Sequence, residues 1–107
     1  MYSTLIVARM NPEDGGRVAE LFSDFDKSDL PRRMGTFRRQ LFNYKGLYFH
    51  LQDFDSDNGR DSVEGAKNDP RFVRISSDLK PFITAYDPGW RTPADAMADR
   101  FYHWSAE

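Results

Sequence analysis

Cysteine is absent from the sequence, and its absence excludes several classes of functional site. Disulfides, thiolate zinc centres, iron–sulfur clusters and cysteine nucleophiles all depend on the missing thiol. Any bound metal would have to be held by His, Asp and Glu alone. A chain without cysteine also suits a reducing compartment.

Long hydrophobic runs and an excess of positive charge are also missing. The longest strongly apolar stretch runs only from Thr4 to Ala8, far short of the roughly 20 residues that a membrane-spanning helix needs. No basic-then-apolar leader with a small-residue cleavage site is present. The sequence has 15 Lys and Arg residues and 17 Asp and Glu residues, which gives a net charge of −2. This composition does not indicate a basic surface that would bind nucleic acid. We therefore expect a soluble, cytoplasmic protein that binds neither membranes nor nucleic acid.

The chain has room for one domain. Two halves of its 107 residues would each be too small for an independent core, so we expect a single domain over residues 1–107. Only 39% of the residues are hydrophobic, yet 15% are Phe, Tyr or Trp, which concentrates the apolar surface in rings. In a domain this small, such rings favour burial against a ligand or a second copy, and we expect a dimer.

The hydropathy pattern of the first half predicts a strand, a helix and a hairpin. Tyr2–Met10 is apolar on both sides of its alternation, as in a strand covered on both faces. Asn11-Pro12 is a capping residue followed by proline, and the apolar residues after it keep helical spacing until Pro31. Met34–Asn43 and Leu47–Asp53 are then predicted to be the two strands of a hairpin.

The second half predicts a kinked helix and a closing strand. Asp69-Pro70 is another helix start, and helical spacing continues to Tyr86 across Pro81, which should kink or split the helix. Asp99–Ala106 is aromatic and alternates with polar residues, which predicts the last strand. The resulting order is β-α-β-β-α-β, the ferredoxin-like α+β arrangement with an antiparallel four-stranded sheet and helices on one face. We expect a partner subunit's sheet to cover the open face.

The hairpin carries most of the functional information. With Lys45-Gly46 as a two-residue loop, the predicted cross-strand pairs are Tyr44 with Leu47, Leu41 with His50, and Arg39 with Gln52. Arg39 and His50 then share one sheet face on a cross-strand diagonal, roughly 7–8 Å apart at the backbone, with room for a small substrate group between their tips. Arg38 points to the opposite face, so the Arg38-Arg39 dipeptide cannot act as one patch.

Arg39, His50 and Asp26 are the candidate catalytic residues. His50 titrates near neutral pH and can take or give a proton, although a histidine in a strand is often only structural. A guanidinium such as that of Arg39 on a largely apolar face needs an anion or a carbonyl-rich ligand, and the alternative is a structural salt bridge. Asp26 lies one position beyond the apolar stripe of the first helix. It is the obvious carboxylate partner for Arg39 or His50, and the alternative is that it is simply a solvated Asp.

Further side chains are candidates for contact with a substrate. They come from the first helix, the hairpin and the predicted last strand: Phe25, Phe37, Leu41, Tyr48, Gln52 and Trp104. Aromatic alternation in a strand is, however, more often a sign of core or interface. We interpret His103, which precedes Trp104, as mainly structural.

One motif points to RNA and is rejected. Lys45-Gly46-Leu47-Tyr48-Phe49 resembles an RNA-recognition signature whose aromatic residues stack on bases. The match fails at the third and fourth positions, and the acidic composition argues against RNA. Glycine-rich phosphate loops, serine-nucleophile motifs and HExxH are missing as well, which leaves nucleotide-binding and hydrolase functions without support.

Several short motifs, in order along nearly the whole chain, resemble those of one family. They are Leu30-Pro31, Met34-Gly35, Arg38-Arg39, Leu41-Phe42, Leu47-Tyr48-Phe49-His50-Leu51 and Phe101-Tyr102-His103-Trp104. Together they are similar to the small aromatic polyketide cyclases typified by tetracenomycin F2 cyclase, and in particular to those of spore-pigment and related type II polyketide clusters.

This resemblance implies a dimeric α+β barrel with a pocket in each subunit between sheet and helices. It also implies that a late ring of an aromatic poly-β-ketone is closed by intramolecular aldol condensation and dehydration, without cofactor or metal. The setting would be antibiotic or spore-pigment biosynthesis, beside type II polyketide synthase components. Arg39 and His50 match active-site residues of the family, and Asp26 matches a helix carboxylate near them. The typical enzyme has a histidine directly before that carboxylate, where this chain has Phe25.

Two other functions stay open at this point. The same barrel supports cofactor-independent oxygenation of a dihydroxyarene, as in an aromatic polyketide monooxygenase. A non-catalytic binding module that steers cyclisation through shape alone is the other alternative. Oxygen dependence separates the first from a cyclase, and substitution of Arg39 and His50 separates the second.

Overall fold

The computed structural model of the protein describes residues 2–56 and 59–106, and these residues form four strands and four helices. In chain order they are β1 (Tyr2–Met10), α1 (Gly15–Asp26), α2 (Leu30–Arg33), β2 (Thr36–Tyr44), β3 (Leu47–Phe54), α3 (Gly59–Ala66), α4 (Pro70–Leu79) and β4 (Ile83–Ala85). Two short 3₁₀ turns, Pro12–Asp14 and Pro93–Ala96, lie in the connections. Within the described residues, no helix is long and apolar enough to cross a membrane.

The strands form one antiparallel sheet in the order β2-β3-β1-β4. Helices α1 and α4 pack on one face of this sheet. They are joined to it through a buried apolar cluster: Ala8, Met10, Val18, Phe22, Tyr48 and Ile75. Full burial of a large apolar side chain stabilises a fold by about 1.5–3 kcal/mol. The antiparallel four-stranded sheet with helices on one face confirms the predicted ferredoxin-like α+β fold and its β-α-β-β-α-β order.

The first helix begins where the sequence predicts it. The Asn11 side chain accepts a hydrogen bond from the Glu13 N–H at 3.0 Å, and Pro12 lies at a position where no donor is needed. This first turn is 3₁₀, and α1 follows it to Asp26. The helix thus ends before Pro31, which lies instead in the first turn of the separate helix α2, where proline is tolerated.

The hairpin has the predicted register. Lys45 and Gly46 both adopt positive φ, 50° and 85°, which matches the two left-handed residues of a type I′ turn. All three predicted cross-strand pairs form: Tyr44 with Leu47, Leu41 with His50, and Arg39 with Gln52. Arg38 points to the opposite face from Arg39, as predicted, and its Nε donates to Asp53 Oδ2 at 2.7 Å.

A β-bulge breaks the alternation at the start of β2. The pairing shifts between Thr36 and Arg38, so Phe37 is the extra, unpaired residue. Thr36 therefore takes the helix-facing side, where its hydroxyl accepts a hydrogen bond from Gln52 Nε2 at 2.6 Å. Phe37 is instead 58% exposed. The expectation that Phe37 faces a substrate pocket is corrected, because the bulge turns it out of the row that contains Arg39.

The second long helix is shorter than predicted. It begins at Pro70 behind the Asp69 cap, as expected, but it ends at Leu79. Pro81 has no N–H with which to continue the helical hydrogen bonds, so the predicted kink or split is a complete stop and the helix does not extend to Tyr86. The residues beyond it, Ile83–Ala85, become the edge strand β4 and pair with the end of β1.

The prediction of a closing strand over Asp99–Ala106 is wrong, because these residues form neither helix nor strand. The neighbouring edge of β1 is already taken by β4 and by a single bridge between Ile6 and Met97. Residues 99–106 continue beyond the bridge as an exposed segment, the C-terminal arm. Its Phe101 is 98% exposed and its Trp104 71%. The sheet is closed by β4 instead.

A second apolar cluster lies beside the first. It is built from α2, α3, the end of β3 and the residues around them: Leu30, Met34, Phe54, Val63, Ala66 and Met97. Ile6 of β1 and Phe25 of α1 pack against both clusters. These two side chains therefore mark the place where the two halves of the interior meet, and the functional cavity lies there.

Candidate active site

A cavity of about 380 Å³ opens between the sheet and the helices. This volume lies within the range of about 300–1,000 Å³ that is usual for small-molecule sites. Most of the wall is apolar and aromatic, with rings and aliphatic side chains from Phe22, Phe25, Met34, Phe72, Ile75 and Trp90. Polar groups enter from the hairpin through Arg39, His50 and Gln52. The cavity thus combines an apolar enclosure with a few converging polar side chains.

Arg39 is the buried cation of this wall. Its side chain is 8% exposed, whereas that of its partner Asp26 is 39% exposed. Nε of Arg39 lies 3.1 Å from each carboxylate oxygen of Asp26, and Nη2 donates to Oδ1 at 2.8 Å. Such forked pairing fixes the plane of a guanidinium. Asp26 therefore holds Arg39 from the solvent side, at the end of α1.

Two aromatic rings contact the guanidinium of Arg39. Its Cζ lies 5.0 Å from the centroid of the Phe22 ring and 5.6 Å from that of the Phe25 ring. Both distances are within the range of cation–π attraction, which strengthens where water is excluded. Phe25 thus contacts the guanidinium and lines the cavity.

The tips of Arg39 and His50 touch. Nη1 of Arg39 lies 2.8 Å from Nε2 of His50. The sequence predicts space for a small substrate group between the ends of these two side chains. That space is absent, because the long Arg39 side chain reaches across to the imidazole of His50. Since arginine can only donate, Nε2 must accept, and the imidazole is neutral with its proton on Nδ1.

Burial keeps His50 neutral over a wide range of pH. The residue is 7% exposed, and the Phe22 ring stands edge-on at 5.1 Å between centroids. Burial, together with the positive charge of Arg39, lowers the pKa of His50 from 6.5 to about 3, and burial is the larger cause. Burial also raises the pKa of Tyr48 above its ordinary value, so its hydroxyl stays protonated.

The other predicted contact residues fall into two groups. Phe25, Tyr48 and Gln52 line the cavity together with Arg39 and His50, and Leu41 packs against the first apolar cluster beside it. Phe37 and Trp104 lie outside, Phe37 because of the bulge and Trp104 because the C-terminal arm leaves the sheet. His103 is exposed in that arm.

Sequence reasoning missed one wall of the cavity. Trp90 to Pro93 line it from the loop after β4, and Ser76, Leu79 and Lys80 do so from the end of α4. The one available signal was Trp90 itself, a large ring directly after the Asp87-Pro88-Gly89 turn, where an exposed loop would seldom place one. Within residues 2–56 and 59–106, no three His, Asp or Glu side chains cluster as a metal site would require.

Comparison with known proteins assigns the chain to a family. The family model for polyketide synthesis cyclases matches residues 2–105. Tetracenomycin F2 cyclase from Streptomyces glaucescens is 34% identical over 105 residues, covering 98% of this chain and 95% of that protein. An uncharacterised protein, SCO5314, from Streptomyces coelicolor is 42% identical over 106 residues, covering 97% of this chain and 95% of that protein.

Solved structures agree with this assignment. The structure of the Streptomyces glaucescens tetracenomycin F2 cyclase, described as a type II polyketide cyclase, matches with a TM-score of 0.91 over 100% of both chains. A putative antibiotic biosynthesis monooxygenase from Nitrosomonas europaea matches with a TM-score of 0.55 at 12% identity, over 82% of this chain and 90% of that one, and shares only the fold. As the resemblance of its motifs predicted, the chain belongs to the polyketide synthesis cyclase family.

Proposed function

We propose that the protein is a cofactor-independent polyketide cyclase that closes a late ring of an aromatic type II polyketide by intramolecular aldol condensation and dehydration. Membership of the family supports the reaction class. The observation that carries the proposal is the buried Arg39 guanidinium, which is held by Asp26 and faces an aromatic cavity beside the neutral imidazole of His50.

The first step is removal of a proton from a methylene group flanked by two ketones. In the resting site the lone pair of His50 Nε2 is occupied by Arg39 Nη1. When a substrate carbonyl oxygen takes over that Nη1 donor, the lone pair becomes free to accept the methylene proton. The pKa of His50 is low in the empty site, but the negative charge of the enolate that forms beside it raises that pKa. Proton transfer and enolate formation therefore support each other.

The second step forms the carbon–carbon bond. The enolate carbon attacks a second ketone of the same chain, and the attacked carbonyl oxygen becomes an alkoxide that takes the proton from His50. His50 then accepts a second proton from the same carbon and passes it to the departing hydroxyl group, which leaves as water, so the imidazole is neutral again. Arg39 stabilises the negative oxygen throughout, and one such donor commonly contributes about 3 kcal/mol to a transition state.

Asp26 acts in this scheme as a positioning residue. Both of its carboxylate oxygens are engaged by Arg39, and it approaches from the solvent side rather than from the cavity. A carboxylate in that place keeps the guanidinium aimed at the substrate oxygen. The base is therefore His50, and Asp26 supports the charge that stabilises the enolate.

The aromatic wall selects how the substrate folds. Phe22 and Phe25 lie beside Arg39, and Phe72 and Trp90 line other parts of the wall. Flat rings that are already closed can stack between such side chains. Holding the reacting carbon close to one ketone and away from the others turns cyclisation into an oriented, effectively unimolecular step. The shape of the cavity thus determines which ring forms.

We further propose that the protein works as a cytoplasmic homodimer with the dimeric α+β barrel of its family, beside synthase components. The alternation that turns His50 toward the helices turns Leu5 and Val7 to the opposite face of the sheet. Phe42 and Tyr44 are 51% and 61% exposed on that same face. Monomeric proteins seldom leave a continuous apolar face of this kind in water. A second copy of the sheet is the complementary surface, and the aromatic C-terminal arm adds to it.

The proposed reaction is tested with the purified protein and a partly cyclised aromatic poly-β-ketone under anaerobic conditions. We expect turnover to continue without oxygen and the product to differ from the substrate by the loss of one water, as measured by mass spectrometry. A product that gains oxygen, or turnover that stops when oxygen is removed, would contradict the proposal and identify an oxygenase.

A further inference from the structure

The charged residues of the cavity all have the same sign. Three ionisable side chains with a permanent charge line it, Arg39, Lys80 and Arg91, and all three are positive. Among the described residues, no Asp or Glu contributes to the wall. This contrasts with the chain as a whole, in which 17 acidic residues outnumber 15 basic ones. The lining of the cavity is therefore positive although the chain as a whole carries a net negative charge.

Two of these charges form no salt bridge with any residue that the structure describes. Asp26 balances Arg39, and the two remaining charges are those of Lys80 and Arg91. Asp95 is close enough to Arg91 for the two charges to attract each other, and its Oδ2 accepts from the backbone N–H groups of Arg91 and Thr92, at 2.9 and 3.2 Å. Asp95 thus caps the Pro93–Ala96 turn, and it does not line the cavity.

The positions of these two cations place them at the mouth of the cavity. Lys80 directly follows the last residue of α4, and Arg91 follows Trp90 in the loop after β4. Both residues are exposed and yet line the cavity, so they stand where it meets the solvent. Arg39 and His50 lie at the buried wall. The two cations thus lie at the opening of the cavity and the proposed catalytic residues at its buried wall, with apolar side chains between them.

We propose that Lys80 and Arg91 bind an anionic group carried by the polyketide substrate. This inference rests on the proposed cyclase function and names the class of molecule that the site takes: an aromatic polyketide with a carboxylate or phosphate at one end. Two cations that no salt bridge engages attract such a group and increase the rate of encounter. Fixing the charged end at the mouth presents the ketones at the other end to Arg39.

Two sources could provide the anion. One is the carboxylate of a free polyketide acid, and the other is the phosphate of a phosphopantetheine arm that still carries the chain. Both present oxygen acceptors to Lys80 and Arg91, and arginine binds either group through two parallel hydrogen bonds. The shared chemistry is anion recognition, and competition experiments distinguish the sources.

The test compares two flat aromatic probes that differ only in charge, anthraquinone-2-carboxylate and anthraquinone-2-carboxamide. Binding is measured by isothermal titration calorimetry for the wild type and for the Lys80→Gln/Arg91→Gln variant. Lys45→Gln/Arg74→Gln is the matched control, because it removes the same charge at two exposed residues outside the cavity. Affinity of each variant for the amide probe also shows that the cavity is still folded.

We expect the wild type and the control to bind the carboxylate at least tenfold more tightly than the amide, since two charge-assisted contacts are worth roughly that much or more. The Lys80→Gln/Arg91→Gln variant should bind both probes within about twofold of the wild-type affinity for the amide. Equal affinity of the wild type for both probes, or an equal loss of preference in the control, would refute the anion site alone. Failure of the wild type to bind either probe would contradict the aromatic cavity itself, and with it the proposed function.

Competition then identifies the source of the anion. If phosphopantetheine displaces the carboxylate probe from the wild type and pantetheine does not, the mouth accepts a carrier arm. If neither competes while the carboxylate preference holds, the ligand is a free acid. Either result supports the anion site.

Discussion

The buried neutral His50 makes a quantitative prediction about stability and pH. In the unfolded chain its imidazole binds a proton below about pH 6.5, whereas in the native protein the lowered pKa of about 3 prevents this. Protons therefore favour the unfolded state between these two values. The contribution of His50 to stability is complete above about pH 6.5 and is lost progressively as the pH falls toward 3.

The magnitude follows from the size of the shift. One pKa unit corresponds to about 1.4 kcal/mol, so between pH 7 and pH 5 the free energy of unfolding should fall by about 2 kcal/mol through His50 alone. The perturbation is His50→Gln, which keeps a side-chain acceptor for Arg39 but does not titrate. Because the two proteins differ only at residue 50, the difference between their pH dependences isolates the imidazole.

The assay is urea unfolding at pH 5, 6 and 7, followed by circular dichroism. We expect the wild type to lose about 2 kcal/mol more than His50→Gln over this interval. If both proteins lose stability in parallel, His50 is not held neutral by its surroundings and the reasoning is refuted. A nuclear magnetic resonance titration of the two histidines provides a direct check, because the His50 signal should not move between pH 7 and pH 5.

Three further predictions concern Arg39, the Asp26 carboxylate that holds it, and the open face of the sheet. Asp26→Asn should lower kcat about tenfold and leave KM nearly unchanged in steady-state assays, since it loosens the guanidinium without entering the cavity; a change confined to KM would contradict this. Arg39→Lys should lower turnover by about 10²-fold or more, because an ammonium cannot keep the forked pairing with Asp26 and also donate to substrate; a rate within twofold of the wild type would be inconsistent with this role. Phe42→Asp should convert the proposed dimer to a monomer in light scattering, whereas the same change at exposed Val73 on α4 should not.

The parts of the fold that the sequence predicted correctly depend on short-range chemistry. Asn11 and Pro12 specify a helix start through one capping bond and one missing donor. Lys45-Gly46 specifies a two-residue turn, and the register of the whole hairpin follows from it, including the shared face of Arg39 and His50. Those residues could be placed together because a period of two leaves no other choice once the turn is fixed.

The parts that the sequence did not predict depend on tertiary competition. The aromatic residues of the C-terminal arm have strand propensity, but three residues after Pro81 pair with the edge of β1 in their place. One extra residue in β2 turned Phe37 outward, and a bulge has no reliable signature in composition. The direct contact between Arg39 and His50 was also not predicted. Backbone spacing cannot show that the Arg39 side chain extends until Nη1 lies 2.8 Å from His50 Nε2.

The central claim is that Arg39 and His50 perform chemistry and do not merely shape a cavity. The most direct test is the cyclisation rate of a folded Arg39→Gln/His50→Gln variant, measured against the uncatalysed reaction under anaerobic conditions. A drop to within about tenfold of the uncatalysed rate is the predicted result, since both the proton acceptor and the charge that stabilises the enolate are gone. A rate close to that of the wild type would contradict the claim and would assign the protein a purely shape-directed role.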